Sequence, residues 1–122
     1  NPHARATAVF NVIAQHEAAL AQKIVDFLKT KRNVRLIGPA TGAADQRVAT
    51  FSFTVDKQKS AEIPPLAAAE WVGLSNGHFY AKRFLEAVGI SDADDGVVRA
   101  SLAHYTTEDD VEKLISLLDR VL

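Results

Sequence analysis

At 122 residues, 48% of them hydrophobic and with a net charge of −1, the chain has room for one domain and a single modest core. The near-balanced charge leaves no basic stripe for a nucleic-acid backbone, and no apolar run approaches the roughly 18 residues of a membrane helix. Cysteine is absent, which excludes disulfides and thiolate chemistry and suits a cytoplasmic protein; methionine is absent too, so Asn1 is expected to be the cut or processed end of something longer.

Val9, Ile13, Leu20, Ile24 and Phe27 recur at helical spacing, with Val12 and Leu28 widening the stripe, and predict a helix from about Arg5 to Thr30. Such a helix runs about 39 Å at 1.5 Å per residue, longer than this domain needs and suited to bridging two domains. His16-Glu17 within it is no metalloprotease pair, because Leu20 stands where the second histidine would be. Lys29, Lys31 and Arg32 close the negative end of the helix dipole. Val34-Arg35-Leu36-Ile37 reads as a short strand stopped by Gly38-Pro39, and Gly38 to Gln46 as a surface loop without a phosphate-cradling Gly-Lys-Ser/Thr ending.

Arg47 to Val55 is the clearest strand. Ala49, Phe51, Phe53 and Val55 face one way, while Val48, Thr50, Ser52 and Thr54 face the other. A polar turn at Asp56 to Ser60 precedes a short helix to Glu70, entered or kinked at Pro64-Pro65. Trp71 to Leu74 reads as a further strand, and Tyr80 to Val88 as a helix ended by Gly89. Ser91 to Asp95 is an acidic, solvated loop ahead of a strand centred on Arg99. Thr107 caps the last helix, with Asp110 in the capping-box position and acidic residues 108–110 on the positive end of the dipole. Val111, Leu114, Ile115, Leu118 and Leu122 line its buried face, and Asp109 and Lys113 are spaced for an ion pair. The expected fold is α+β in two layers. A small, largely antiparallel sheet of three or four strands carries helices on one face, including the long N-terminal one.

Arg99 lies between Val98 and Ala100 on a strand, so its fixed charge must meet an anion or reach water. It either grips the carboxylate of a small acidic or amino-acid ligand, or serves as a structural salt bridge or edge-strand arginine. Gly73-Leu74-Ser75-Asn76-Gly77 matches the nucleophile elbow of α/β-hydrolases, with Ser75 as nucleophile and His104 plus an acid of the 92–95 loop as partners. The chain is too short for the parallel sheet a hydrolase needs, and the plainer reading is a strand-to-loop turn. The four histidines are scattered, and no metal site is expected. The competing reading is a non-catalytic α+β module for binding or dimerisation, and the hydrolase reading comes third.

Two segments resemble the C-terminal part of class V aminotransferases, the pyridoxal-phosphate family that includes the cysteine desulfurases. Val98-Arg99-Ala100-Ser101 and Tyr105-Thr106-Thr107-Glu108-Asp109 match its Val-Arg-x-Ser strand and Tyr-Asn-Thr-acidic-acidic helix start, with Thr106 in place of the usual Asn. Gly77-His78-Phe79-Tyr80-Ala81 resembles the Gly-His-x-Cys-Ala loop, with Tyr80 at the position of the desulfurase cysteine. The pairing with His104-Tyr105-Thr106-Thr107 is similar to a branch lacking that cysteine. The resemblance implies that Arg99 binds the substrate α-carboxylate, with His78, Tyr80 and His104 flanking the substrate. It also implies that the cofactor lysine, the pyridine aspartate and the phosphate loop come from a separate large domain. On that expectation residues 1–122 are the small C-terminal domain of a homodimeric pyridoxal-phosphate enzyme, with no cofactor bound by this chain alone and no catalytic residue of its own.

Overall fold

A computed structural model describes all 122 residues. The elements run α1 (Pro2–Thr30), β1 (Val34–Ile37), β2 (Thr50–Val55), a 3₁₀ turn (Ser60–Glu62), α2 (Ile63–Ala68), β3 (Ser75–Gly77), α3 (Lys82–Ala87), β4 (Val97–Ser101) and α4 (Glu108–Val121). The four strands form one sheet in the order β1-β2-β4-β3, every pair antiparallel. This is the expected two-layer α+β fold.

Alternation along the strands divides the sheet into two unlike faces. Ala49, Phe51, Phe53 and Val55 all point into the core, joined from β4 by Val98 and Ala100. Over them pack Ile24, Val25 and Leu28 of α1, Ile63 and Ala67 of α2, and Val111, Leu114, Leu117 and Leu118 of α4. Val97, next to Val98, points the other way. There it meets Leu85 of α3 and Ala93, with Ile37, Phe79 and Ile90 packed around them. The short α3 thus covers one end of the face that the three other helices leave open, so the expectation of helices on one face holds for α1, α2 and α4 but not for α3.

The ends of α4 and α1 are set by local chemistry. Thr107 accepts from the Asp110 amide at 3.2 Å, and the Asp110 carboxylate accepts from the Thr107 amide at 2.9 Å, closing the capping box. These bonds hold the Asp110 carboxyl below its ordinary pKa. Lys23 pairs with Glu108 and Lys31 with Asp119, and the His16 ring lies 2.8 Å from the Thr106 carbonyl, tying α1 to α4. Asp109 and Lys113 form no ion pair. Burial on α1 begins only at Leu20; Val9, Phe10 and Val12 are exposed. The first half of the apolar stripe therefore has no partner within these residues.

Three boundaries differ from those expected. β2 starts at Thr50, because Arg47 first closes a turn on Ala43 and folds its guanidinium over the Phe51 ring. The third strand is Ser75–Gly77 and not Trp71–Leu74. Trp71 adopts φ +61 while the Val72 amide returns to the Ala67 carbonyl, so those residues finish α2. α3 begins at Lys82 because Tyr80, at φ +61, lies outside helical geometry.

A candidate carboxylate-binding site around Arg99

Arg99 occupies the middle of β4, between Ser52 on β2 and Ser75 on β3. It points away from the core and is half-buried. Both cross-strand neighbours are short and uncharged. None of the chain's four salt bridges includes Arg99, and no acceptor in the chain takes a hydrogen bond from it. The structural salt bridge considered from the sequence is not formed. Instead the guanidinium carbon lies 3.8 Å from the centroid of the Phe79 ring. A cation held that close over a ring is attracted to its negative face, and that contact supplies no acceptor to the N–H donors.

The turn that presents Phe79 is conformationally costly. Phe79 and Tyr80 have φ of +49° and +61°, and the Ala81 amide donates to the His78 carbonyl at 2.7 Å. Positive φ at both central positions with an i to i+3 bond is the pattern of a type I′ turn, which normally selects Asn-Gly. Two aromatic residues there cost about 1–2 kcal/mol each. His78 adds a second tie, its Nδ1 accepting from the Tyr80 amide at 3.1 Å, so the neutral ring carries its proton on Nε2. Phe79 is partly buried against the α3 cluster, while the Tyr80 side chain is fully exposed.

Behind the turn, Gly96 touches Gly77. A Cβ on Gly96 would lie 2.1 Å from the Gly77 carbonyl carbon, and Gly96 itself has φ +75. The preceding Asp95 is no simple solvated residue, as the acidic loop suggested. Its carboxylate accepts from the amides of Ser60 at 2.6 Å and Ala61 at 3.3 Å, while Ser60 Oγ donates to the Asp95 carbonyl at 2.5 Å. Asn76 of β3 donates to the same hydroxyl. This network pins the 3₁₀ turn, β3 and the entry to β4 together, and so fixes the backbone from which Arg99 and Phe79 project.

His78, Phe79 and Tyr80 follow the Gly77 end of β3, which pairs with Val97. His104 lies beyond Ser101, at the other end of β4, its ring edge-on to Tyr105 at 5.2 Å. Val97 and Ser101 are themselves about 13 Å apart along an extended strand. The structure therefore gathers Arg99 with the 78–80 turn and leaves His104 separate. Phe79 had no signal in the sequence beyond its place inside the Gly-His-Phe-Tyr-Ala loop. Ser75 lies within an edge strand opposite Arg99, with no histidine or carboxylate hydrogen-bonded to it, so the nucleophile-elbow geometry is absent.

No group of three His, Asp or Glu side chains could hold a metal ion. A polar cleft of about 600 Å³ near Arg35, Lys57 and Asp92 does not include Arg99, and its mixed charges select no ligand sign. Lys82, at the start of α3, pairs with Asp94 at 2.5 Å, which raises its pKa and lowers that of Asp94. The Lys82 amine is thus engaged by a carboxylate of the neighbouring loop. What β4 and the 78–80 turn present together is a guanidinium that no acceptor of the chain engages.

The molecule is an antiparallel α+β domain with a guanidinium free of chain acceptors on the inner strand β4. The class V aminotransferase family model matches residues 5–114, and the chain belongs to that family, which is pyridoxal-phosphate-dependent in general. It is 36% identical to the aminotransferase-like protein FGM3 of Gibberella zeae over 93% of this chain and 28% of that protein. It is 30% identical to a probable cysteine desulfurase of Pseudomonas putida over 92% of this chain and 25% of that protein. The fold matches the apo cysteine desulfurase of Thermococcus onnurineus with a TM-score of 0.76 at 20% identity, covering 88% of this chain and 25% of that one. The chain thus spans about a quarter of the length of these relatives. No helix is long and apolar enough to cross a membrane.

Proposed function

We propose that residues 1–122 are the C-terminal, substrate-binding domain of a pyridoxal-phosphate-dependent enzyme acting on an amino acid. In this reading the cofactor lysine and phosphate loop lie in a large domain outside these residues, and the whole is a cytoplasmic homodimer. Arg99 clamps the α-carboxylate and catalyses nothing itself; His78 and Tyr80 border the substrate from the turn. His104 belongs to the substrate surroundings only once the large domain completes the cleft. The cofactor supplies the electron sink for bond cleavage at the α-carbon when bound. This chain's residues bind and orient.

One observation carries the proposal: a half-buried arginine whose every donor lacks an acceptor in its own chain. An arginine costs free energy to hold half out of water, so an unsatisfied fork beside a rigid turn reads as a site awaiting an anion. Arg99→Lys in the full-length protein keeps the charge and removes the two-point geometry. Amino-acid affinity should fall roughly ten- to a hundredfold, equivalent to about 1.5–3 kcal/mol, while the melting temperature barely moves. A large drop in melting temperature with unaltered affinity would return Arg99 to a structural role.

Tyr80 sharpens the reaction class. A phenol cannot take a sulfur atom as a thiolate does. The full-length protein should therefore release no sulfur from cysteine through a persulfide at position 80, as measured by sulfide release and persulfide labelling. Persulfide-dependent release of sulfur from cysteine at a turnover comparable to that of true desulfurases would overturn the assignment, unless a cysteine of the large domain is shown to substitute.

A further inference from the structure

We propose that Phe79 is the positioning residue for Arg99: its ring face holds the guanidinium stacked, so that the carboxylate meets an already oriented fork. The inference rests on the clamp reading of Arg99 above.

Three independent features point the same way. The guanidinium carbon lies over the ring at 3.8 Å from its centroid, a cation–π contact that engages the charge without satisfying its N–H donors with an acceptor. Arg99 has no hydrogen-bond acceptor within the chain, so without the ring nothing would select one orientation of a side chain with about 2 kcal/mol of rotamer entropy. Finally, Phe79 adopts φ +49 beside Tyr80 at φ +61. Such strain persists only where the surroundings over-determine it. Here the ring is partly buried against the cluster of Leu85, Ala93 and Val97, which holds it on the side of Arg99.

The chain of support runs from a buried apolar cluster to a ring, and from the ring to a charge. A stacked guanidinium pays less ordering entropy when its ligand arrives, and it accepts the carboxylate only in its own plane. Phe79 therefore acts on affinity and on the preference for a carboxylate over an uncharged amide.

The experiment uses the cofactor-loaded full-length protein and compares calorimetric binding of L-alanine with that of L-alaninamide, which lacks the carboxylate. Replacing Phe79 by 3,4,5-trifluorophenylalanine preserves ring shape and packing while weakening the negative ring face. The preference for L-alanine should fall roughly two- to thirtyfold, the range spanned by exposed and desolvated cation–π contacts. Phe79→Tyr, which keeps the π-face, should retain most of it, and thermal melts of both variants should match the parent. Phe79→Leu supplies a second variant without a ring and should behave like the fluorinated one or worse. Preference lost with Arg99→Lys but untouched by the fluorinated ring would overturn the role of Phe79 and leave the clamp standing. Wild-type protein that binds both ligands alike, or a preference that survives Arg99→Lys, would remove the clamp and the role of Phe79 together.

Discussion

The two faces of the β-sheet obey different rules. On the core face Phe51, Phe53 and Val98 are fully buried and meet α1, α2 and α4 in one continuous cluster. The opposite face carries Thr50, Ser52, Thr54 and Arg99, one short helix, and a turn with two aromatic residues at positive φ. The core face gains stability by excluding water from large apolar side chains. The open face keeps a charge without a partner and a strained turn, both of which cost free energy. Strands serve both ends at once because their side chains alternate, so residues one step apart can be committed to stability and to binding.

The largest test of that division is Phe53→Ala. It should cost about 3–5 kcal/mol in chemical denaturation, as expected for a fully buried phenylalanine. A loss below that of an exposed substitution would break the contrast between the faces.

Gly96→Ala probes the seam between them. The new Cβ would meet the Gly77 backbone at a residue that already requires positive φ. Overpacking and left-handed strain together predict about 2–5 kcal/mol of destabilisation. β3 and the 78–80 turn should be displaced, which loss of hydrogen-exchange protection at the Asn76 and Gly77 amides would record. Protection equal to wild type would show that the two glycines do not constrain one another.

Trp71→Gly should have a smaller effect of the opposite sign. Trp71 holds φ +61 at the end of α2 while 93% exposed, whereas Gly89 ends α3 at φ +80. Glycine at position 71 removes the left-handed strain and loses little burial within these residues, for a gain of about 0.5–1 kcal/mol net of its own entropy cost. A destabilised variant would mean that the indole makes contacts outside residues 1–122.

The smallest effect concerns pH. The Asp110 carboxyl titrates below its ordinary 3.8 because the folded chain hydrogen-bonds its charged form. Its contribution is thus present above pH 3.8 and lost as pH falls through the depressed folded value. Asp110→Asn should flatten that part of the acid unfolding curve, read by circular dichroism. An unchanged curve would show that the capping box adds nothing to acid stability.

Local signals carried most of the fold. The heptad-like stripe of α1, the alternation from Ala49 to Val55 and the Thr107–Asp110 cap each lie within a few residues of one another, where periodicity and hydrogen-bonding chemistry act directly. Sheet order was illegible because it depends on contacts such as Ser52–Arg99, far apart in sequence. β3 was misplaced because a tryptophan took a backbone conformation normally reserved for glycine. Asp109 and Lys113 had the right spacing, yet an exposed pair gains only a few tenths of a kcal/mol and water competes successfully for both. At the site, Arg99 could be placed on a strand from its apolar neighbours. Its lack of a partner, its stack on Phe79 and the clasp between Asp95 and Ser60 arise from folding in three dimensions, and no local pattern encodes them.

The half-packed α1 has a mechanical consequence. From His16 onward it is tied to α4 and the sheet, while the exposed residues 2–12 extend about 16 Å as a rigid rod. Helices resist bending far more than they resist being swung from one end. A rotation of about 10° in the packed part would carry the far end through about 3 Å over that length. Any body held at the free half of α1 would therefore be geared to the sheet that bears Arg99, and a small shift at one end of this lever would be delivered, amplified, at the other.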